Sequence, residues 1–208
     1  MIAKHMLRTG LILGVFAIIG TALVALTYDN TRERIAASER AYLLRSLHAL
    51  ITPSIHNNDI FTDTVTVTSS LMGTNKPTVV YRARMDGKPV AAVLTPIAPD
   101  GYNGTIKLLV AVLYDGTLAG VRVIAHRETP GLGDEIDEQR SDWILGFKGH
   151  SLQNPDKSGW AVKRDGGVFD QFTGATITPR AVVNAVHRSL QYYGQSKDLL
   201  FAPASNDE

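Results

Sequence analysis

With 208 residues, the chain has room for one compact domain of ordinary size beyond any membrane segment, and two large domains would not fit. Its 21 Lys and Arg face 20 Asp and Glu, so no basic field is available to hold nucleic acid, which is excluded as a partner. Cysteine is absent, which removes disulfides, thiolate-bound iron-sulfur clusters, thioether-attached haem and Cys nucleophiles, and the six histidines are too scattered to gather a metal.

The first predicted element is a transmembrane helix over residues 9–28. Residues 11–26 read LILGVFAIIGTALVAL without a charge, and Thr9, Gly10, Thr27 and Tyr28 extend the run to about twenty, a helix rising about 30 Å, the thickness of a bilayer's hydrocarbon. Lys4 and Arg8 precede the run and Asp29 follows it. The positive-inside bias therefore puts residues 1–8 in the cytoplasm and the rest of a single-pass chain on the far side of the membrane. A cleaved secretory signal shares the basic start, but this run is longer than a signal core and lacks a small-x-small site at Leu26, Thr27 and Tyr28. No charge lies within the span, which reads as a tether in the lipid bilayer or a packing partner rather than an ion path.

Residues 29–52 predict a helical stalk, with Ile35, Leu43, Leu47 and Leu50 near one face and Pro53 as its stop. From 53 to 208 the period changes. DTVTVTS alternates strictly, and two β-rich pairs of arms meet at Asp86-Gly87 and Asp115-Gly116, each predicting a type I′ hairpin in an antiparallel, twisted sheet. The segment RETPGLGDEIDE reads as loop, and SDWILGFKG as a short helix with Trp143, Ile144 and Phe147 on its apolar side. Gly166-Gly167 is expected to link strand-like arms AVKR and VFDQF. A last helix starts with Thr178 as N-cap and Pro179 in its first turn, and Val182, Val183, Val186 and Leu190 form its stripe. The fold class is thus α+β: one transmembrane helix, then an antiparallel sheet with packing helices.

Between that third turn and the last helix stands Asp170-Gln171-Phe172-Thr173-Gly174-Ala175-Thr176-Ile177-Thr178. Gly174 and Ala175 remove side-chain bulk where three threonine hydroxyls approach a helix N-terminus, whose free N–H groups and positive dipole end suit a phosphate. Threonines before a helix are ordinarily turn and capping residues, and that bland reading is kept for Thr178.

For the whole string a resemblance intervenes. D-x-x-T-G-A-T is similar to the flavinylation sequence of the G subunit of Rnf-type ion-translocating electron transport complexes and of the C subunit of sodium-pumping NADH:quinone reductases. The resemblance implies FMN esterified through its phosphate to Thr176, with Thr173, Gly174 and Ala175 around it and Asp170 as the acid needed by a periplasmic flavin transferase. Upstream, His126-Arg127-Glu128-Thr129-Pro130-Gly131-Leu132-Gly133 resembles the H-x-E-T-P-G-L-G loop that lies against the flavin in those domains. It implies His126, Glu128, Thr129, Gly131 and Leu132 as further cofactor-binding residues. Two glycines and a proline make a side-chain-poor loop able to approach a flat ring, with Leu132 as an apolar contact. Alone, such a loop is equally an ordinary tight connection.

Length favours the Rnf family over the quinone reductase. The implied function is an electron relay, within a complex that moves electrons between ferredoxin and NAD coupled to sodium or proton movement, partnered by the other membrane subunits. A non-redox anchored binding module is the competing class. Gly131-Leu132-Gly133 is no dinucleotide fingerprint, since Ile136 stands where the third glycine belongs. No GxxxxGK[ST] run occurs, and no G-x-S-x-G elbow supports a triad from Ser158, His126 and Asp170. Asn103-Gly104-Thr105 is a weak glycosylation match, and Trp143 with Phe147 reads as core.

Overall fold

The computed structural model describes residues 2–202. The chain divides into two compact units, Met1–Leu43 and Leu44–Glu208. A single helix, α1 (Ile2–Leu50), supplies all the described residues of the first unit. It is long and apolar enough to cross a membrane, and its large side chains, among them Leu11, Phe16, Ile18 and Val24, lie exposed. Near the end of the apolar run, the hydroxyls of Thr27 and Thr31 donate back to the carbonyls of Leu23 and Thr27 at 2.8 Å, so neither is left unpaired in apolar surroundings. Of the predicted stalk face, Leu47 and Leu50 are buried while Ile35 is exposed.

The second unit is an antiparallel meander. Its strands are β1 (Thr64–Ser69), β2 (Thr74–Met85), β3 (Lys88–Leu94), β4 (Ile97–Gly101), β5 (Gly104–Leu113) and β6 (Leu118–Ala125). β1 pairs with β2, β2 with β3, and β5 with β6. β3 and β4 share one edge of β5: Leu94 pairs with Val110 and Ile97 with Lys107, so one register runs across Thr95-Pro96. Pro96 has no N–H for a ladder, yet its carbonyl still accepts from Leu108 at 3.0 Å. The break and β4 itself have no signal in the alternation pattern.

Asp86 (φ 50°) and Gly87 (φ 76°) both take the left-handed region, as a type I′ turn requires. Asp115-Gly116 does not. Gly116 alone has positive φ, at 94°; its N–H donates to Leu113 at 2.9 Å, and Leu113 donates to Thr117 at 2.8 Å. This is a type I turn closed by a glycine bulge, which suits the longer connection and the register shift between Ala111 and Val112.

Each face of the sheet is covered. On one, Val80, Ala92, Leu94, Ala98, Ile106, Leu108, Val110 and Val112 join the main core with helix α2 (Ile177–Phe201). Val182, Val183, Val186 and Leu190 of α2 are all buried there, as their spacing predicts. On the other face, Leu50 lies so close over Gly120 that an added Cβ would meet it at 3.0 Å, and Leu47 and Ile51 are fully buried. β5 is accordingly buried on both sides along most of its length.

Between β6 and α2 the short helix expected at Trp143 is present, and the third pair of strand-like arms is not paired as expected. The Trp143 segment is a 3₁₀ helix, Asp142–Phe147, started by Ser141, whose hydroxyl accepts from Trp143 N–H at 3.2 Å. Phe147 stacks on Phe169 at 4.6 Å and meets Trp143 edge-on at 5.3 Å, so these rings are core. The Gly166-Gly167 arms form no hairpin: Val162 and Phe169 make one isolated parallel bridge. Phe169 N–H donates to the Ala161 carbonyl at 3.2 Å and Lys163 N–H to the Phe169 carbonyl at 2.7 Å, so the two arms lie side by side in the parallel sense, and an added Cβ on Gly167 would lie 2.0 Å from the Ala161 carbonyl.

Candidate functional site

The sheet end at the β4–β5 turn, the loop after β6 and the start of α2 converge on a cavity of about 300 Å³, lined by Tyr102, Glu128, Thr129, Leu132, Gly133 and residues Gly174 to Thr178. The His126–Gly133 and Asp170–Thr178 segments, separated in the chain by residues 134–169, thus meet in space. A Cβ placed on Gly174, whose φ is 81°, would lie 3.6 Å from a Leu132 methyl. No larger residue would take that backbone readily, and the left-handed turn carries the chain from the Phe172–Ala175 bridge into α2.

Thr178 is not the N-cap. The helix begins one residue before it, at Ile177, which puts Thr176 in the capping position, and the Thr176 side chain makes no capping bond. Thr178 is instead buried and its hydroxyl donates to Glu128 Oε2. Thr176 takes φ −75° and ψ −26°, helical rather than the extended geometry that lets a capping hydroxyl reach back to the helix donors, and a buried carboxylate claims the Thr178 hydroxyl. The Thr176 hydroxyl, half-buried at the cavity wall, is left uncommitted among the described residues.

The first turn of α2 also has free donors. Pro179 has no N–H, and Arg180 N–H reaches the Thr176 carbonyl at 3.4 Å. Ile177 and Thr178 N–H groups have no helical acceptor before them. Two donors beside an uncommitted hydroxyl, at the positive end of a helix of 25 residues, make a place for a phosphate ester.

Glu128 is the tie between the three elements. The residue is 4 % exposed; besides Thr178 its carboxylate accepts from the Asn103 backbone N–H at 3.1 Å. The Asn103 side chain adds a bond to Thr129 Oγ1 at 2.9 Å. Gly101 and Gly133 allow this closeness, because an added Cβ at either would lie 2.9 Å from a Glu128 carboxylate oxygen. The loop is held internally by Asp134, whose Oδ1 accepts from Gly131 N–H at 2.7 Å, and by His126 Nδ1, which accepts from Glu128 N–H at 3.1 Å. That bond leaves the proton of the neutral imidazole on Nε2.

Of the residues expected from sequence, Glu128, Thr129, Leu132, Gly174, Ala175 and Thr176 line the cavity, while His126, Gly131, Thr173 and Asp170 do not. Asp170 is exposed and ion-paired with Lys163 at 2.6 Å, and its carbonyl accepts from the Trp143 indole at 2.8 Å. Its carboxylate is therefore available to a macromolecule approaching from outside. Sequence reasoning missed Tyr102, Gly133 and Ile177, and gave Thr178 a different task. The two-residue turn Tyr102-Asn103 between Gly101 and Gly104 was the available signal, but β4, which presents it, was not predicted. The residues present fit a flavin mononucleotide: an uncommitted hydroxyl, backbone donors free at the start of α2, glycines in the lining and apolar walls at Leu132 and Ile177, both partly exposed.

Residues 101–191 match the FMN-binding domain family, and residues 1–50 match the RnfG N-terminal region. Among named proteins, the chain is similar to the G subunit of the ion-translocating oxidoreductase complex of Pseudomonas aeruginosa, at 49 % identity over 96 % of this chain and 94 % of that protein. The protein of the same name from Pseudoalteromonas atlantica is 51 % identical over 96 % of this chain and 93 % of its own length. That from Vibrio cholerae is 49 % identical over 93 % and 92 %.

Proposed function

The chain belongs to the family of G subunits of ion-translocating oxidoreductase complexes, and on that premise we propose that it is the complex's membrane-anchored electron relay, with FMN esterified to Thr176. The observation that carries this reading is the uncommitted Thr176 hydroxyl, set at the N-terminus of α2 on the wall of the cavity. The ester forms when Oγ1 loses its proton and bonds to the flavin phosphate of an anhydride donor, whose other phosphate departs. Asp170, exposed beside Lys163, is the acid that the periplasmic flavin transferase recognises.

Bound FMN supplies one-electron and two-electron redox chemistry, and the protein fixes its position and surroundings. Ile177 and Thr178 N–H groups face the phosphodiester charge. Leu132 and Ile177 would offer apolar surface to the ring, while Glu128 keeps the loop, the β4–β5 turn and α2 in register around the cavity. Thr129, Gly174 and Ala175 complete the walls. His126, Gly131 and Thr173 act from behind, through the shape of the two loops.

In the complex, electrons pass between ferredoxin and NAD, coupled to sodium or proton movement, through neighbouring membrane subunits. Residues 9–28 of α1 form the single span, residues 1–8 lie in the cytoplasm, residues 29–52 form the stalk and residues 53–208 the periplasmic domain. A tethered cofactor suits that compartment, because no free FMN pool would replace one that diffused away.

The test is a denaturing gel viewed under ultraviolet light, on protein exported together with the transferase. Wild type should fluoresce. Thr176→Val, which removes only the hydroxyl, should fold with an unchanged melting temperature and be dark. A fluorescent Thr176→Val band, or a dark wild-type band with active transferase present, overturns the reading in favour of a non-redox module.

A further inference from the structure

Resting on the proposed FMN site, we infer that Tyr102 is the side chain that covers the bound flavin's ring. Tyr102 is the one aromatic residue among those lining the cavity. It is 66 % exposed, and its hydroxyl has no hydrogen-bond partner among the described residues. An exposed aromatic side chain usually sits on a mobile support; this one does not. Its neighbour Asn103 is fastened to Glu128 through the backbone and to Thr129 through the side chain. On its other side, Gly101 lies so close to Glu128 and to the Gly104 carbonyl that a Cβ would stand 2.9 Å and 2.3 Å from them. The turn is thus pinned across the cavity from Gly174 and Thr176 while its aromatic ring is left without a protein partner.

The remaining nearby rings are committed. Trp143 packs edge to face with both Phe147 and Phe172, and Trp160 lies against Phe169 and His187. The other lining residues, Glu128, Thr129, Leu132, Gly133 and Gly174 to Thr178, carry no ring. A flat heteroaromatic ring tethered at Thr176 would therefore have an aromatic face to stack on at Tyr102 and nowhere else among the lining residues.

The readout separates this inference from the attachment itself. A phenol in contact with a photoexcited flavin lends it an electron and recovers it without light being emitted; a benzene ring does not. Full-length wild type, Tyr102→Phe and Tyr102→Leu are expressed with the transferase, and flavin emission of each folded protein is divided by its emission after denaturation. Denatured emission per chain should be equal in all three. The folded ratio should be low in wild type and several-fold higher in both variants, while the visible circular dichroism of the flavin should survive in Tyr102→Phe and change in Tyr102→Leu. Equal folded ratios across the three proteins overturn the role of Tyr102 and leave the attachment standing. A dark wild type in the denaturing gel removes the attachment and this inference with it.

Discussion

Gly133 shows how little freedom a single position has in this site. A methyl group there would stand 2.8 Å from the Thr178 hydroxyl and 2.9 Å from Glu128 Oε2. Both oxygens are buried and bonded to each other, so neither can step aside without leaving a polar group unpaired. Gly133→Ala should therefore destabilise the protein by about 1–3 kcal/mol, as overpacking does. Chemical denaturation of wild type and variant would check it, and an unchanged midpoint would mean that the contact is looser than the geometry states. At this scale the sequence was informative about type and poor about task. Thr176, Gly174 and Leu132 were legible because a string of residues carried them. The exchange of duties between Thr176 and Thr178 was not, because it depends on a carboxylate fifty positions away in the chain, which no local pattern encodes.

Among the elements, α2 answers to pH through His187. Its ring lies flat against Trp160, 5.3 Å between centroids with planes 5° apart. Burial first, then the charges of Lys157 and Arg188, pushes its pKa below the usual histidine value of 6.5. The sign follows from linkage: below about 6.5 the unfolded chain takes up a proton that the folded one refuses, so stability is full above that pH and declines as pH falls toward the lowered value. Between pH 7.5 and 5.5 the melting temperature of wild type should fall further than that of His187→Phe, which keeps the stack and cannot titrate. Parallel decline in the two would show that other groups set the slope. The strands and long helices were readable because alternation and 3.6-residue periodicity leave a mark. β4 and the 3₁₀ segments other than the one at Trp143 left none: they are short, and tertiary contacts shape them more than any repeat does.

For the whole molecule, the compact second unit starts at Leu44, inside the span read as stalk. Leu47 and Ile51 are fully buried and Leu50 nearly so. A soluble form beginning at Leu44 should unfold cooperatively, whereas one beginning at Pro53 should lose about 5 kcal/mol or more from those three side chains. Urea titration of the two forms decides it, and matching midpoints would count against a core role for that last turn. The opposite end of the domain is fastened as well. Arg82 and Arg84, both held by Asp63, donate to the carbonyls of Leu200, Phe201 and Ala202. The hairpins between these ends are local, but the two surfaces of the meander are closed by the earliest and the latest segments of the domain. A polypeptide released prematurely, before residue 177 is made, would present the whole α2-facing side of its sheet as bare apolar surface. Proteases and chaperones would therefore have a clear mark by which to tell it from the finished protein.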